Sequence, residues 1–304
     1  MRNIIALTAV ASLLLCGRPT QAEESAGHRL QYKFEVGEIV RYHATHKTML
    51  KTTKGPSTEI VQDESDSEQH YRVTAVDDDG IATLELTTDR VKMSARFGNA
   101  KPESYDSTAD ENVSPRFAAV AKTIGKPLAR LTVRPNGELV SSKPLLPESV
   151  QRLVTTPTQS PTANDDPAKN VFTVFPDKPL AVGDTWRESF QVRVNVDRRL
   201  EQNVTLLRVS ELTSLEDGLA TVKYRTSLIT PVQDGGVRVQ LLQRTPSGSL
   251  VFDIEQGRII SRTMKIDRTE VGVIGSNSLM RAVSLRKEKL IPKSEATDDS
   301  VVKR

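Results

Sequence analysis

Two stretches of the chain begin with the same pattern, and together they decide the expected fold. AVGDTWRESFQV (Ala181–Val192) contains the single tryptophan, and EVGEIVRYHATH (Glu35–His46) begins 146 positions earlier. In both, Val-Gly and an acidic residue precede a run that is typical of a strand. Glycine and aspartate are favoured in tight turns. Each stretch is therefore predicted to be a turn that leads into the first long strand of a β unit.

The acid and the tryptophan of the second stretch have two interpretations. In a functional one, Asp184 and Trp186 line a ligand pocket. In a structural one, Gly183 forms the turn, the aspartate bonds nearby backbone amides and the tryptophan anchors the core. The first stretch keeps the glycine and an acid, as Gly37 and Glu38, but has valine in place of the tryptophan. The shared part is turn chemistry, so the structural interpretation is favoured.

Alternation of apolar and polar residues dominates the rest of the chain and predicts strands with one buried face. Turn residues separate these runs, and Asn-Gly in PNG (Pro135–Gly137) is a strong hairpin signal. The turn glycines are expected at Gly80, Gly137, Gly218 and Gly257. The predicted strands include YRVTAV (Tyr71–Val76), IATLEL (Ile81–Leu86), LARLTV (Leu128–Val133), ATVKYRTSL (Ala220–Leu228) and VRVQLL (Val237–Leu242).

Two further matches follow in the same order in both halves. RVTAVDDDGIATLEL (Arg72–Leu86) resembles RVSELTSLEDGLATVKY (Arg208–Tyr224), with two extra residues in the turn. LTVRPNGELVSS (Leu131–Ser142) resembles FDIEQGRIISR (Phe252–Arg262). Three matches in order predict an internal repeat. We expect a mainly β protein of two tandem, related antiparallel units, with curved sheets of sandwich or half-barrel type and one or two short helices.

The expected division of the chain follows from composition. The first β unit covers 23–154 and carries a short helix near 114–125, where Ser114 suits the N-cap and Gly125 the stop. A second short helix is expected at 147–154. A proline-rich linker covers 155–170, the second unit covers 171–292, and a disordered tail covers 293–304.

The N-terminal 22 residues are predicted to be a secretory signal peptide. Arg2 precedes the apolar run Ile4–Leu15, and small residues end in Ala22. We expect an exported protein, periplasmic or extracellular, with no transmembrane segment after signal removal. The alternative is a lipoprotein anchored through Cys16, but the residue before this cysteine is a leucine rather than a small residue. If the signal peptide is removed after Ala22, Cys16 leaves with it. The mature chain then has no cysteine, so no disulfide stabilises it.

Signal removal also weakens the charge argument. The chain has 42 basic and 39 acidic residues, and the signal takes two arginines with it, which leaves a formal charge of about +1. Such a balance gives no support to a nucleic-acid partner.

The sequence offers no catalytic, cofactor or metal site. His43 and His46 lie three apart in a strand pattern, so they point to opposite faces and do not form a metal pair; both are interpreted as surface residues. The acids of DDDG (Asp77–Gly80) are consecutive rather than alternate, which indicates a hairpin rather than a calcium loop. The glycines of VGVIGS (Val271–Ser276) indicate a bulge or a close backbone approach.

Two motifs carry a family resemblance. YKFEVGE (Tyr32–Glu38) and FPDKPLAVGDTW (Phe175–Trp186) resemble an uncharacterised family of exported bacterial β-rich proteins with a G-D-[ST]-W element, and IGKPLARLTVRPNGELVS (Ile124–Ser141) resembles the hairpin between them. The resemblance implies export, β architecture and bacterial origin, and it supplies no catalytic residues.

Three functions stay open at this point. The first is a non-enzymatic binding or scaffold protein of the cell envelope. The second is a carrier of a lipid or another apolar ligand, because large curved antiparallel sheets enclose such ligands. The third, an unrecognised hydrolase, is the least favoured. The partner is accordingly an apolar ligand or another envelope protein, and the sequence does not choose between them.

Overall fold

The computed structural model describes residues 27–109, 111–148, 171–195 and 201–293. The expected fold class is confirmed: the protein is mainly β, with one large curved antiparallel sheet and two short helices among the described residues. The predicted signal peptide, the linker, most of the predicted helix at 147–154 and all but the first residue of the predicted tail lie outside the described residues.

Twelve described strands form this sheet, in the order β6-β5-β3-β2-β1-β12-β11-β10-β9-β8-β7, and β4 pairs with β3. The strands of both predicted units therefore belong to one sheet. The strands are β1 Ile39–Lys54, β2 Ser57–Val76, β3 Ala82–Phe97, β4 Glu103–Asp106, β5 Pro127–Val133, β6 Leu139–Pro144, β7 Thr185–Asn195, β8 Glu201–Glu216, β9 Leu219–Leu228, β10 Ser247–Asp253, β11 Arg258–Val271 and β12 Ser278–Ile291.

The two halves of the sheet join where β1 pairs with β12. The antiparallel register runs from Arg41 opposite Ile291 to Lys54 opposite Ser278 without a shift. Because β12 lies at the end of the second half and β1 at the start of the first, this seam closes over more than 220 residues of chain. The seam lies near the middle of the sheet, so it positions the residues at its centre.

The two Val-Gly-acid turns have matching hydrogen bonds. Gly37 N donates to Val73 O, and Gly183 N donates to Leu212 O. Both glycines have positive φ, +84° and +95°. The residue after each acceptor, Thr74 or Thr213, lies at a register shift and donates its hydroxyl to the neighbouring strand. The structure thus matches Val73 with Leu212, three residues beyond the alignment suggested by the two Arg-Val pairs.

One predicted strand is wrong. VRVQLL was assigned to a strand from its alternation, but Gly235–Leu241 is a helix, here α2. Asp234 caps it, because its carboxylate accepts a hydrogen bond from Val237 N at 2.9 Å. Val237 and Leu241 lie one helical turn apart and are both buried. The apolar residues of this stretch therefore also fit one face of a helix, which Asp234 caps.

The other described helix, α1, is shorter than expected. It covers Ala118–Ala121, within the predicted 114–125, and begins after Phe117. Ser114, the expected N-cap, instead donates its hydroxyl to Glu103 at 2.8 Å. Phe117 is buried against Tyr105 and the β3 side chains Val91 and Ala95, so tertiary packing rather than capping holds this helix.

Two extended segments, 28–36 and 171–180, cross one face of the sheet at the end where Gly37 lies. The two are called here the crossing segments, the face that they cross is called the covered face, and that end of the sheet is called the Gly37 end. His28 and Leu180 pair with each other through two backbone hydrogen bonds of 2.8 and 2.9 Å. The hydroxyl of Tyr32 accepts from Thr173 N at 3.0 Å. Their aromatic side chains bridge the two largest core clusters, which belong to the two halves of the sheet.

The crossing segments contact the tips of two hairpins, and the glycine in each tip leaves room for them. Lys33 N donates to Gly257 O, and Phe175 N donates to Asn136 O. A Cβ added at Gly257 would lie 2.5 Å from Lys33 N, and one at Gly137 would collide with the carbonyl oxygen of Thr173. These two glycines therefore serve close backbone approach as well as the turn.

We expect Gly137→Ala to destabilise the protein well beyond the cost of its positive φ, about 1–2 kcal/mol, because the methyl group also displaces Thr173. Gly183→Ala is the matched control, since its φ is similar but its Cβ would meet open space. Urea unfolding of both variants measures the difference. Equal losses would contradict the close-approach role of Gly137.

Candidate functional site

The candidate site is a half-buried polar strip, called here the groove, on the covered face of the three central strands, β2, β1 and β12. Successive residues of a strand point to opposite faces. On β1, Val40, Tyr42 and Ala44 are buried on the face that the crossing segments cover, and Leu50 packs near α2 at the opposite end. The residues between these apolar ends form the floor of the groove, because they share the same face.

The floor is polar and made largely of small side chains. Its members lie side by side in three rows across the strands, fixed by the register without a shift. The rows are Ser67, Ala44 and Glu288, then Ser65, His46 and Arg286, then Asp63, Thr48 and Ser284. Ala44 and Glu288 are buried, and the other members are half-buried. The floor is thus accessible from one side and bounded by apolar clusters at both ends.

His46 lies at the centre of this floor. Its Nε2 is hydrogen-bonded to Ser284 Oγ at 2.9 Å. Burial lowers the pKa of the imidazole, and the nearby positive charge of Arg286 lowers it further. The ring is therefore neutral near pH 7. His43 is on the opposite face, bonded to Asp66. The opposite orientation of the two histidines was predicted, and His46, interpreted as a surface residue, is half-buried.

Asp63 lies on the other side of the floor, in the same row as Ser284. Burial raises the pKa of its carboxyl, while the charge of Arg116 and a hydrogen bond with Thr48 act in the opposite direction. A carboxylate and a guanidinium, on Asp63 and Arg286, thus flank the neutral imidazole from opposite strands.

A buried ion pair separates the groove from the crossing segments. Arg262 on β11 and Glu288 on β12 approach to 3.9 Å, and their side chains are 10% and 9% exposed. Arg262 also donates to Val171 O, and Gln69 donates to the other Glu288 oxygen at 3.3 Å. Burial opposes the charge of Arg262, but Glu288 and the nearby tyrosines hold its pKa above the ordinary value.

Arg262 borders two small cavities on its two sides. One, of about 30 Å³, lies among the aromatic rings of the crossing segments and beside Glu288. The other, of about 20 Å³, lies between Arg262, Arg208 and Tyr224. Such volumes hold one or two waters, far below the several hundred Å³ of a ligand pocket. The interior at the Gly37 end is therefore packed.

The groove lacks the geometry of a hydrolytic site among the described residues. A nucleophilic serine needs a base that a third group orients. Ser284 does contact His46, but Asp63 bonds Thr48 instead of the imidazole. The backbone amides of the floor lie in paired strands, so they form no oxyanion hole. The arrangement suits hydrogen bonding to a ligand rather than covalent chemistry.

The residues singled out in the two Val-Gly-acid stretches lie at the Gly37 end and not in the groove. Asp184 accepts from Ala181 N at 2.9 Å, and Trp186 Nε1 donates to Val174 O at 2.9 Å. The Glu38 carboxylate is almost fully buried, bonded to Arg258 at 2.9 Å and to Lys293 at 3.1 Å. The turn glycines Gly80, Gly137, Gly218 and Gly257 all have positive φ and lie in hairpin turns.

The floor residues were missed in the sequence because β12 lies about 200 residues beyond β1 and β2 in the chain. One signal was present. In β1 the covered-face positions change from Val40 and Tyr42 to His46 and Thr48, and in β12 the matching positions carry Arg286 and Ser284. A strand whose buried face becomes polar midway indicates a binding site. Only the register of the sheet shows that the polar positions of β1 and β12 lie side by side.

No described group of histidine, cysteine, aspartate and glutamate is arranged to hold a metal ion. None of the helices in the described part of the chain is long and apolar enough to cross a membrane.

No family model matches the sequence, and no curated protein matches it. Among solved structures the chain is similar to one titled "Lipid-protein interactions in lipovitellin", with 12% identity, a TM-score of 0.47 and coverage of 86% of this chain. The chain spans 26% of the length of that lipovitellin chain.

Two further solved structures are more distant. DynF from the dynemicin biosynthesis pathway of Micromonospora chersina is 10% identical over 92% of this chain and 96% of its own, with a TM-score of 0.22. The MucA/MucB complex of Pseudomonas aeruginosa gives 10% identity over 83% of this chain and 90% of the matched chain, with a TM-score of 0.12. Similarities at this distance assign no function.

We expect Glu288→Leu to cost about 3–5 kcal/mol, because it leaves Arg262 charged and buried without its carboxylate. The double variant Arg262→Met/Glu288→Leu removes both charges and is expected to recover much of the loss. Urea unfolding of the two single variants and the double variant forms a complete cycle. Additive losses would show that the two side chains do not stabilise each other.

The ion pairs of Glu38 make the free energy of unfolding depend on pH in the acidic range. Burial raises the pKa of its carboxyl, but the hydrogen bonds and charges of Arg258 and Lys293 outweigh burial and hold it below the ordinary value. The stabilisation is therefore present above the unfolded pKa, about 4.3, and is lost as the pH falls through the lower folded value. Glu38→Gln should flatten this part of the stability profile. If the pH dependence of the stability were the same in Glu38→Gln as in the parent, Glu38 would not be its source.

Proposed function

We propose that the protein is a non-enzymatic binding protein that holds a polar ligand in the groove on the covered face of its sheet. The observation that carries the proposal is the half-buried polar floor of β2, β1 and β12, with His46 at its centre. Covered faces of sheets are ordinarily apolar. Polar side chains on this face bury less apolar surface than a core would. Hydrogen bonds from these side chains to a bound ligand would explain why they are there.

The floor supports a polar ligand better than an apolar one. An apolar ligand would cover Asp63, His46 and Arg286 and remove their contact with water. Burial of such groups without compensating hydrogen bonds costs several kcal/mol. A ligand with hydroxyl, amide or charged groups replaces the lost water contacts. Carriage of a lipid or another apolar ligand is thus the competing proposal. The interior at the Gly37 end is packed and, among the described residues, has no cavity large enough for such a ligand.

We propose further that the chain is exported and belongs to the uncharacterised bacterial family that its motifs resemble. The apolar N-terminal run supports export. The matching hydrogen bonds of the turns at Gly37 and Gly183, together with the matching shifts at Thr74 and Thr213, support an origin of the two halves by duplication.

The test is to purify the full chain from its native source and extract it in parallel with aqueous methanol and with chloroform. Mass spectrometry of both extracts is expected to find a polar compound, in amounts comparable to the protein, in the aqueous fraction. Ser284→Trp should remove it, because an indole on the floor fills the groove. Ser261→Trp is the control, since residue 261 lies on β11 and points to the opposite face from Arg262.

A hydrocarbon-rich compound without a polar or charged head group in the chloroform extract, with nothing in the aqueous one, would overturn the proposal in favour of a carrier of an apolar ligand. Equal retention of the polar compound by both tryptophan variants would place its site elsewhere. Circular dichroism of each variant verifies that the sheet has formed, so that loss of ligand is not loss of fold.

A further inference from the structure

We propose that the groove anchors its ligand by an anionic group, a carboxylate or a phosphate, bound to the guanidinium of Arg286. This inference rests on the proposed function, because it names the chemistry of the ligand that the groove holds. It is carried by one feature that distinguishes Arg286 from Arg262, Arg208 and Arg258.

Each of these three arginines already has a carboxylate partner. Arg262 faces Glu288, Arg208 bonds Glu188 at 3.3 Å, and Arg258 bonds Glu38 at 2.9 Å. Arg286, by contrast, has neither an ion pair nor a hydrogen bond within the described ranges. It is half-buried, and no nitrogen of its guanidinium is enclosed without a partner, so solvent reaches the charge.

The two carboxylates closest to Arg286 along the floor do not neutralise it. Glu288 occupies the next row, but its oxygens are engaged by Gln69 and Arg262. Asp63 lies two strands away, where it bonds Thr48 and experiences the charge of Arg116. The guanidinium of Arg286 is thus left without a counter-ion among the described residues, and an anionic group of a ligand can supply one.

The surroundings of Arg286 suit an oxyanion. His46 is its direct neighbour across the seam of the sheet, and Ser65 is the next residue in that row. The hydroxyl of Ser65 supplies a hydrogen-bond donor beside the guanidinium, and the bonded pair of His46 and Ser284 supplies a second, because their mutual hydrogen bond uses only one of their two protons. Arginine presents a planar fork that matches carboxylate and phosphate oxygens. The floor therefore has one cation with neutral donors around it, as a single anionic group requires.

The experiment is an NMR titration of the full chain with inorganic phosphate at pH 7, observing the His46 ring and the Arg286 side-chain N–H. We expect saturable shifts of both signals, and a rise in the pKa of His46 as the anion offsets the charge that lowers it. Arg286→Gln should weaken binding about tenfold, the loss of a charged hydrogen bond. Lys287→Gln, the same charge change on the opposite face of the same strand, should leave binding unchanged.

A second arm uses dihexanoyl phosphatidylglycerol below its micelle concentration. Tighter binding than inorganic phosphate, with the same dependence on Arg286, assigns the anion to a lipid headgroup, and equal or weaker binding assigns it to a free anion. The inference is overturned if neither probe shifts the His46 ring, or if Arg286→Gln binds as the parent does. A polar compound that is retained in the groove by Arg286→Gln would overturn the anchor but leave the proposed function standing.

Discussion

The hydrogen bond between the hydroxyl of Tyr32 and the backbone of Thr173 ties together the two segments that close the sheet. This curved sheet has a broad apolar face, and no strand outside the sheet covers it within the described part of the chain. The crossing segments 28–36 and 171–180 cover it at the Gly37 end, and the ring of Tyr32 packs against Phe34, Phe172, Phe175 and Phe252. Burial raises the pKa of this tyrosine to about 12, so the hydroxyl stays protonated over the physiological range.

This closure determines where a ligand fits. At the Gly37 end the aromatic rings and the Arg262–Glu288 pair leave space for little more than water. At the other end α2 packs near Leu50 and Met280. The polar floor between them is the part of the covered face that neither cluster fills. Its place at the β1–β12 seam means that residues from the first and last strands form the site together.

The sequence predicts much of the fold, because alternation and turn glycines are local signals. The strands around Tyr71–Val76 and Ala220–Leu228 and the hairpin at Gly137 form as expected. It fails at Val237–Leu242, where a capping aspartate outweighs the alternation of two valines. It does not predict the seam or the crossing segments, because these depend on contacts between residues more than 140 positions apart. His46 and Arg286 became a site only through that pairing.

We propose that the crossing segments close the Gly37 end and leave the polar floor as the binding surface. A crystal structure of the protein purified with its native ligand tests this most directly. We expect density for the ligand over His46, between Arg286 and Asp63, with Tyr32 still bonded to Thr173. Density behind Tyr32, beside Arg262 and with the crossing segments displaced, would contradict it.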